Sequence, residues 1–176
     1  MDWILLTYRL PAEPSRHRVA VWRELRKAGA VSLQQATWGL PSRRDLVDVV
    51  AKVTGIIEAA GGDALVFDAS PRGPEMEARL EQAFTSDREA EWTEFLAECG
   101  KFEAEIAKEI RIEKFTPAEL DEEEQNLERL TRWFRDLRRR DVFGAPSQHI
   151  AEGRLKECEA VLEGFAERVY EYGGHR

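Results

Sequence analysis

Arginine is the side chain best placed for chemistry in this sequence. Arg16 and Arg23 lie two turns apart on one predicted helix, Arg43 and Arg44 open a second, and Arg132, Arg135 and Arg139 crowd the end of a later one. A guanidinium fork matches phosphate and other tetrahedral oxyanions well. At Arg43 and Arg44 the free N–H groups and dipole of a helix start favour an anion as well. These positions are the candidate contacts for an anion or a nucleic acid. A plainer account competes at the last cluster. Its helix begins with Glu119, Asp121, Glu122, Glu123 and Glu124, so acids occupy the positive end and bases the negative end. That placement stabilises a helix by about 0.3–1 kcal/mol per well-placed charge and needs no ligand.

Other reactive side chains form no recognisable centre. His17, His149 and His175 are far apart in sequence, and none is paired at metal-ligand spacing. No zincin, phosphate-loop, nucleophile-elbow or dinucleotide pattern occurs. The carboxylates fall on polar helix faces, where solvation accounts for them. We therefore expect no enzyme, no cofactor and no catalytic or metal-binding residue. Cys99 and Cys158 are too few for a disulfide framework, too distant for a zinc knuckle, and fall on apolar helix faces. Trp22, Trp38, Trp92 and Trp133 are expected in the core, although Trp38 sits in a hairpin where an RNA-binding protein could display a stacking residue.

Bulk properties narrow the class. Hydrophobic residues make up 43% and charged residues 34% of 176, which describes a globular helical protein. No apolar run approaches the roughly 20 residues of a membrane span. Nor is there a secretory leader, so a cytoplasmic protein with no membrane partner is expected. The formal charge of −8 is uneven, since most of the excess acid lies beyond residue 72. An acidic balance disfavours bulk, sequence-blind binding to nucleic acid, while a local basic patch remains compatible with DNA.

The elements that carry these residues follow from apolar periodicity. Trp3-Ile4-Leu5-Leu6-Thr7-Tyr8 reads as a strand buried on both faces, ended by Pro11 and Pro14. A helix from Ser15 presents Val19, Trp22, Leu25 and Ala28 on one face, opposite Arg16, Arg23 and Lys27, and stops at Gly29. Ala30–Leu33 and Thr37–Leu40 suit a hairpin. Ser42 with Asp45 reads as a capping box for a helix burying Leu46, Val49, Val50, Val53 and Ile57, and Ala64–Phe67 closes the set as a fourth strand. The order βαββαβ is the ferredoxin-like one, giving a four-stranded antiparallel sheet over residues 1–70.

Pro71-Arg72-Gly73-Pro74 marks a linker over 71–85 with a short helix near Glu75–Phe84. Three long antiparallel helices then occupy 86–173. Ser86 with Glu89 caps the first, which buries Trp92, Phe95, Cys99, Phe102, Ile106 and Ile110. Thr116-Pro117 opens the second and Ser147 the third. The fold class expected is α+β.

Several stretches resemble one family. Trp22-Arg23-Glu24-Leu25-Arg26-Lys27-Ala28-Gly29-Ala30-Val31-Ser32-Leu33 and Thr37-Trp38-Gly39-Leu40-Pro41 look like the N-terminal region of ChrB, the chromate-resistance regulators. Gly61–Phe67, Ser86–Glu89, Arg140–Pro146 and Phe165–Tyr170 agree in the expected order over nearly the whole chain. The resemblance implies a chromate-sensitive regulator of an efflux operon in bacteria. The first part is also similar to PaaX-type repressors and to the small CRISPR adaptation nuclease. That nuclease carries an acidic metal ligand at the end of its first strand, where this chain has Thr7-Tyr8-Arg9, which argues against nuclease chemistry. Longer ChrB proteins add a second domain and PaaX-type repressors a winged helix. Neither occurs within these 176 residues, so DNA reading falls to the helical half or to a partner.

The expected partners are therefore DNA, chromate or another oxyanion, or a second protein, with a homodimer through a free sheet edge. The alternative is an interaction module with no ligand, in which the arginines only solvate the chain and pair with its glutamates.

Overall fold

The computed structural model describes residues 1–174, so His175 lies outside the described residues. The chain forms two compact units that divide between Asp87 and Arg88. The first holds β1 (Trp3–Arg9), α1 (Arg16–Ala28), β2 (Val31–Gln34), β3 (Thr37–Pro41), α2 (Arg44–Ala59), β4 (Asp63–Ala69) and the start of α3 (Pro74–Arg111). Its four strands pair antiparallel in the order β2-β3-β1-β4. The most apolar strand, β1, is central. Ile4 and Leu6 meet Val21 and Leu25 of α1 and Leu46, Val50, Val53 and Ile57 of α2 on one face of the sheet. On the other face Trp3 packs edge-on against Phe84, with ring centroids 6.2 Å apart.

Chain direction reverses where side chains permit it. The β2–β3 turn uses Gln35 and Ala36, the latter at φ 56°. Gly29 closes α1 at φ 80°, the left-handed conformation that glycine adopts without steric cost. Gly62 answers a different need. A Cβ there would lie 2.4 Å from the carbonyl oxygen of Arg9, because the entry to β4 crosses tightly over the exit of β1.

The phase of α1 differs from the sequence expectation. Val21 and Leu25 are its buried residues, with Ala28 half-buried, whereas Val19 and Trp22 face solvent. A stripe of strict three-residue steps rotates by about 60° per step on a helix of 3.6 residues per turn. Val19, Trp22, Leu25 and Ala28 therefore span about half the circumference and cannot all be buried. The step from Val21 to Leu25 to Ala28 stays on one side.

Two capping boxes read from sequence are also absent. Arg43, in extended conformation, takes the N-cap position of α2 with no side-chain cap, while the Ser42 amide donates to the Asp2 carbonyl at 2.8 Å. Ser86 and Glu89 lie inside α3, which runs unbroken from Pro74 to Arg111 in place of a short helix, a linker and a fresh start. No proline or glycine interrupts the segment between Pro74 and Gly100, and nothing else forces a stop.

The second unit contains the remainder of α3, then α4 (Pro117–Arg140) and α5 (Ser147–Gly174). The stripe expected from Trp92 onward in α3 joins apolar residues of α4 and α5 in its core. Trp92, Phe95, Cys99 and Ile106 meet Leu130, Phe134 and Leu137 of α4 and Ala151, Leu155, Cys158, Leu162 and Phe165 of α5. Thr116 caps α4 by accepting from the Glu119 amide at 3.3 Å, and Pro117 occupies its first position as the sequence predicted.

Candidate functional site

The outer arc of α1 is densely cationic. Arg16, Arg18, Arg23, Arg26 and Lys27 are all exposed there, and between them stand Val19 and Trp22, the latter 49% exposed. The single acid of α1, Glu24, is turned aside into an ion pair with Lys52 of α2 at 2.9 Å. The guanidinium carbon of Arg26 lies 5.5 Å from the Trp22 ring centroid, within cation–π range. Sequence reasoning found Arg16 and Arg23 but missed Arg18, Arg26 and Trp22. Setting the buried stripe through Trp22 hid the arc that the correct phase exposes. Such a surface offers charge for phosphates and a flat ring for stacking.

Arg43 and Arg44 behave differently from one another. Arg43 donates through Nε and a terminal nitrogen to Asp45 at 3.0 and 2.9 Å, so the start of α2 already holds a carboxylate. Arg44 is exposed on the first turn.

Arg132, Arg135 and Arg139 are exposed on α4, in the second unit. Arg132 and Arg135 border a groove of about 440 Å³ that is also lined by Glu124, Glu128 and Leu162. Arg139 reaches Asp136 at 3.6 Å, and the Arg135 Nε donates to the Thr131 carbonyl at 3.4 Å. The groove is therefore mixed in charge, unlike the arc of α1. Across α4 a second groove, about 510 Å³, is lined by Glu94, Glu98, Lys101, Arg129 and Trp133.

A buried polar network in the second unit escaped the sequence reading altogether. Arg88, only 3% exposed, pairs through Nε with Glu91 at 2.8 Å, and Arg140 reaches the same carboxylate at 3.2 and 3.3 Å. Asp141 accepts from the indole N–H of Trp92 at 2.8 Å and from the amides of Gly144 and Ala145 at 3.1 and 2.9 Å. Glu89 accepts from the amide and hydroxyl of Ser147, fixing the start of α5. Buried charges persist when they are paired, as Arg88 is with Glu91. The network joins Ser86–Glu89 to Arg140–Pro146, two of the stretches that carried the resemblance. Position alone gave no sign that they meet. Arg88 and Asp141, both buried, are suited to fixing the connection between helices rather than to touching a ligand.

Two further buried groups are electrostatically perturbed. Burial raises the Glu123 carboxyl above its ordinary range, against the hydrogen bond it accepts from Asn126 at 3.2 Å. Cys99 and Cys158 meet inside the core, the Cys158 thiol lying 3.8 Å from the Cys99 carbonyl. Its hydrogen bonding to Cys99, together with burial, pushes the Cys158 thiol far up and keeps it protonated. Trp38 is buried, so it presents no stacking face.

Among the described residues no group of His, Cys, Asp or Glu is arranged to hold a metal ion. No described helix is long and apolar enough to cross a membrane. A family model described as "Protein ChrB, N-terminal" matches residues 18–175. No curated protein and no solved structure matches the chain.

Proposed function

The chain belongs to the ChrB N-terminal family, and from that premise we propose that it is a non-enzymatic cytoplasmic regulator of bacterial chromate response that binds DNA through α1. The observation that carries this reading is the outer arc of α1. Five cations and an exposed tryptophan share it, and its one acid is diverted to Lys52. In a chain with a net charge of −8, a surface so cleared of acids is local and directed rather than a by-product of composition. The strand order β2-β3-β1-β4 supports a ferredoxin-like reading of the first unit, with α1 and α2 on one face of the sheet. The shared core of α3, α4 and α5 supports a three-helix reading of the second.

Chromate, a tetrahedral dianion, would act as the releasing ligand by competing for guanidinium groups that otherwise meet phosphate. Arg16, Arg23 and Arg44 are its candidate contacts in the first unit. The mixed grooves beside α4 favour a protein or no ligand for Arg132, Arg135 and Arg139.

Fluorescence anisotropy of the purified chain with DNA from upstream of its own gene tests this reading, with and without chromate. We expect saturable binding that prefers that sequence and is released by chromate. No binding at low salt refutes DNA binding by this chain, and binding indifferent to chromate refutes the sensing role.

A further inference from the structure

The two edges of the sheet are built to different rules. An unpaired strand edge is an invitation to pair with another chain, and proteins blunt edges with short strands, bulges, prolines and inward charges. The β2 edge follows that practice. It spans only Val31–Gln34, carries Ser32 and Gln34, and shifts register between those residues. The β4 edge does not. It pairs with β1 over Asp63–Ala69 without a bulge, and it contains no proline and no lysine. Leu65, Val66 and Phe67 at its centre are 54%, 44% and 49% exposed.

We propose that β4 pairs antiparallel with β4 of a second copy of this chain, about a two-fold axis at Val66, to give a continuous eight-stranded sheet. The proposal does not depend on DNA binding. Three features of the strand select its own copy as the occupant. Residues facing one another in an antiparallel pair share a face of the sheet. A two-fold axis perpendicular to the sheet therefore admits only registers that match odd positions with odd and even with even. Centred on Val66, the pairing sets Leu65 against Phe67 of the other copy twice over and Val66 against itself.

The same register disposes of the acids. Asp63 faces Ala69 and Asp68 faces Ala64, and the two aspartates point to opposite faces of the strand. Neither meets an acid of the other copy, whereas like charges set directly opposite would destabilise the pair. Moving the centre one residue back sets Asp63 against Phe67, and one residue on sets Val66 against Asp68. Only the middle register pairs apolar with apolar and leaves each acid beside alanine. A single strand pairing is a small contact beside specific interfaces, which bury about 1,200–2,000 Å². A concentration-dependent dimer is therefore expected, not a permanent one.

Sedimentation equilibrium of the full chain tests the proposal. The expected result is a monomer–dimer equilibrium that the Leu65→Lys/Phe67→Lys double variant weakens by roughly tenfold or more. Its far-UV circular dichroism should not change, because both side chains already face solvent. Val66→Cys supplies the second readout. It should cross-link to a covalent dimer under mild oxidation, whereas Asp63→Cys, far from its own symmetry mate, should not. A chain monomeric at every concentration overturns the proposal and leaves the edge to another protein or to a further segment of polypeptide. A dimer unmoved by the lysines, or cross-linked equally well from position 63, overturns it too.

Discussion

Replacing Asp141 by alanine should unfold the second unit at markedly lower denaturant. Asp141 follows the last residue of α4 and is buried, and its carboxylate is the acceptor for three donors. Two of these, the Trp92 indole N–H at 2.8 Å and the Ala145 amide at 2.9 Å, are inside the protein and have no water to turn to. The third, the Gly144 amide at 3.1 Å, lies on an exposed residue and can rehydrate. A buried donor stripped of its acceptor costs about 1–3 kcal/mol, so two such donors give a loss of roughly 2–6 kcal/mol. Asp141→Asn keeps one carbonyl oxygen and should fall in the lower half of that range. Urea unfolding followed by circular dichroism gives the loss. A double-mutant cycle with Trp92→Phe isolates the indole's share, because the phenyl ring leaves no donor behind. A loss below about 1 kcal/mol for the alanine variant would refute the reasoning, since it would mean that water or another acceptor serves these donors.

Glu123→Gln should raise the melting temperature at neutral pH. The raised carboxyl means that Glu123 favours folding only while protonated, and that contribution is lost as pH rises through its folded value. The gain, about 0.5–1.5 kcal/mol, should shrink as pH falls below the ordinary glutamate range, and thermal melts over a pH series would show it. Gly62→Ala forces a methyl group against the Arg9 carbonyl, Ile57 and Leu10, and should destabilise the first unit by about 1–3 kcal/mol in urea titrations.

Much of the architecture was legible because it rests on apolar periodicity. The four strands, both long C-terminal helices and the core stripe from Trp92 to Ile106 follow directly from residue spacing. The errors arose where a short local pattern competed with packing. Ser86 with Glu89 looks like a cap, yet Glu89 is held by Ser147, fifty-eight residues on, and the helix continues through both. In α1 a three-residue spacing put Trp22 in the core, and only the tertiary contacts of Val21 and Leu25 reset the phase. The arginines were visible as charges, but whether each was free depended on partners elsewhere in the chain. Asp45 claims Arg43, while no acid of α1 claims Arg23. The buried network of Arg88, Glu91, Arg140 and Asp141 had no sequence signature, because its members read as surface charges until the helices pack.

If the outer arc of α1 meets DNA phosphates, binding must weaken steeply as salt rises. The measurement is the slope of log K against log salt for the natural chain and for the Arg23→Ala/Arg26→Ala variant. A steep slope is expected for the natural chain, reduced by roughly 0.9 for each phosphate that the variant no longer neutralises. A shallow slope, or the same slope in both proteins, would contradict it and move the interface off α1.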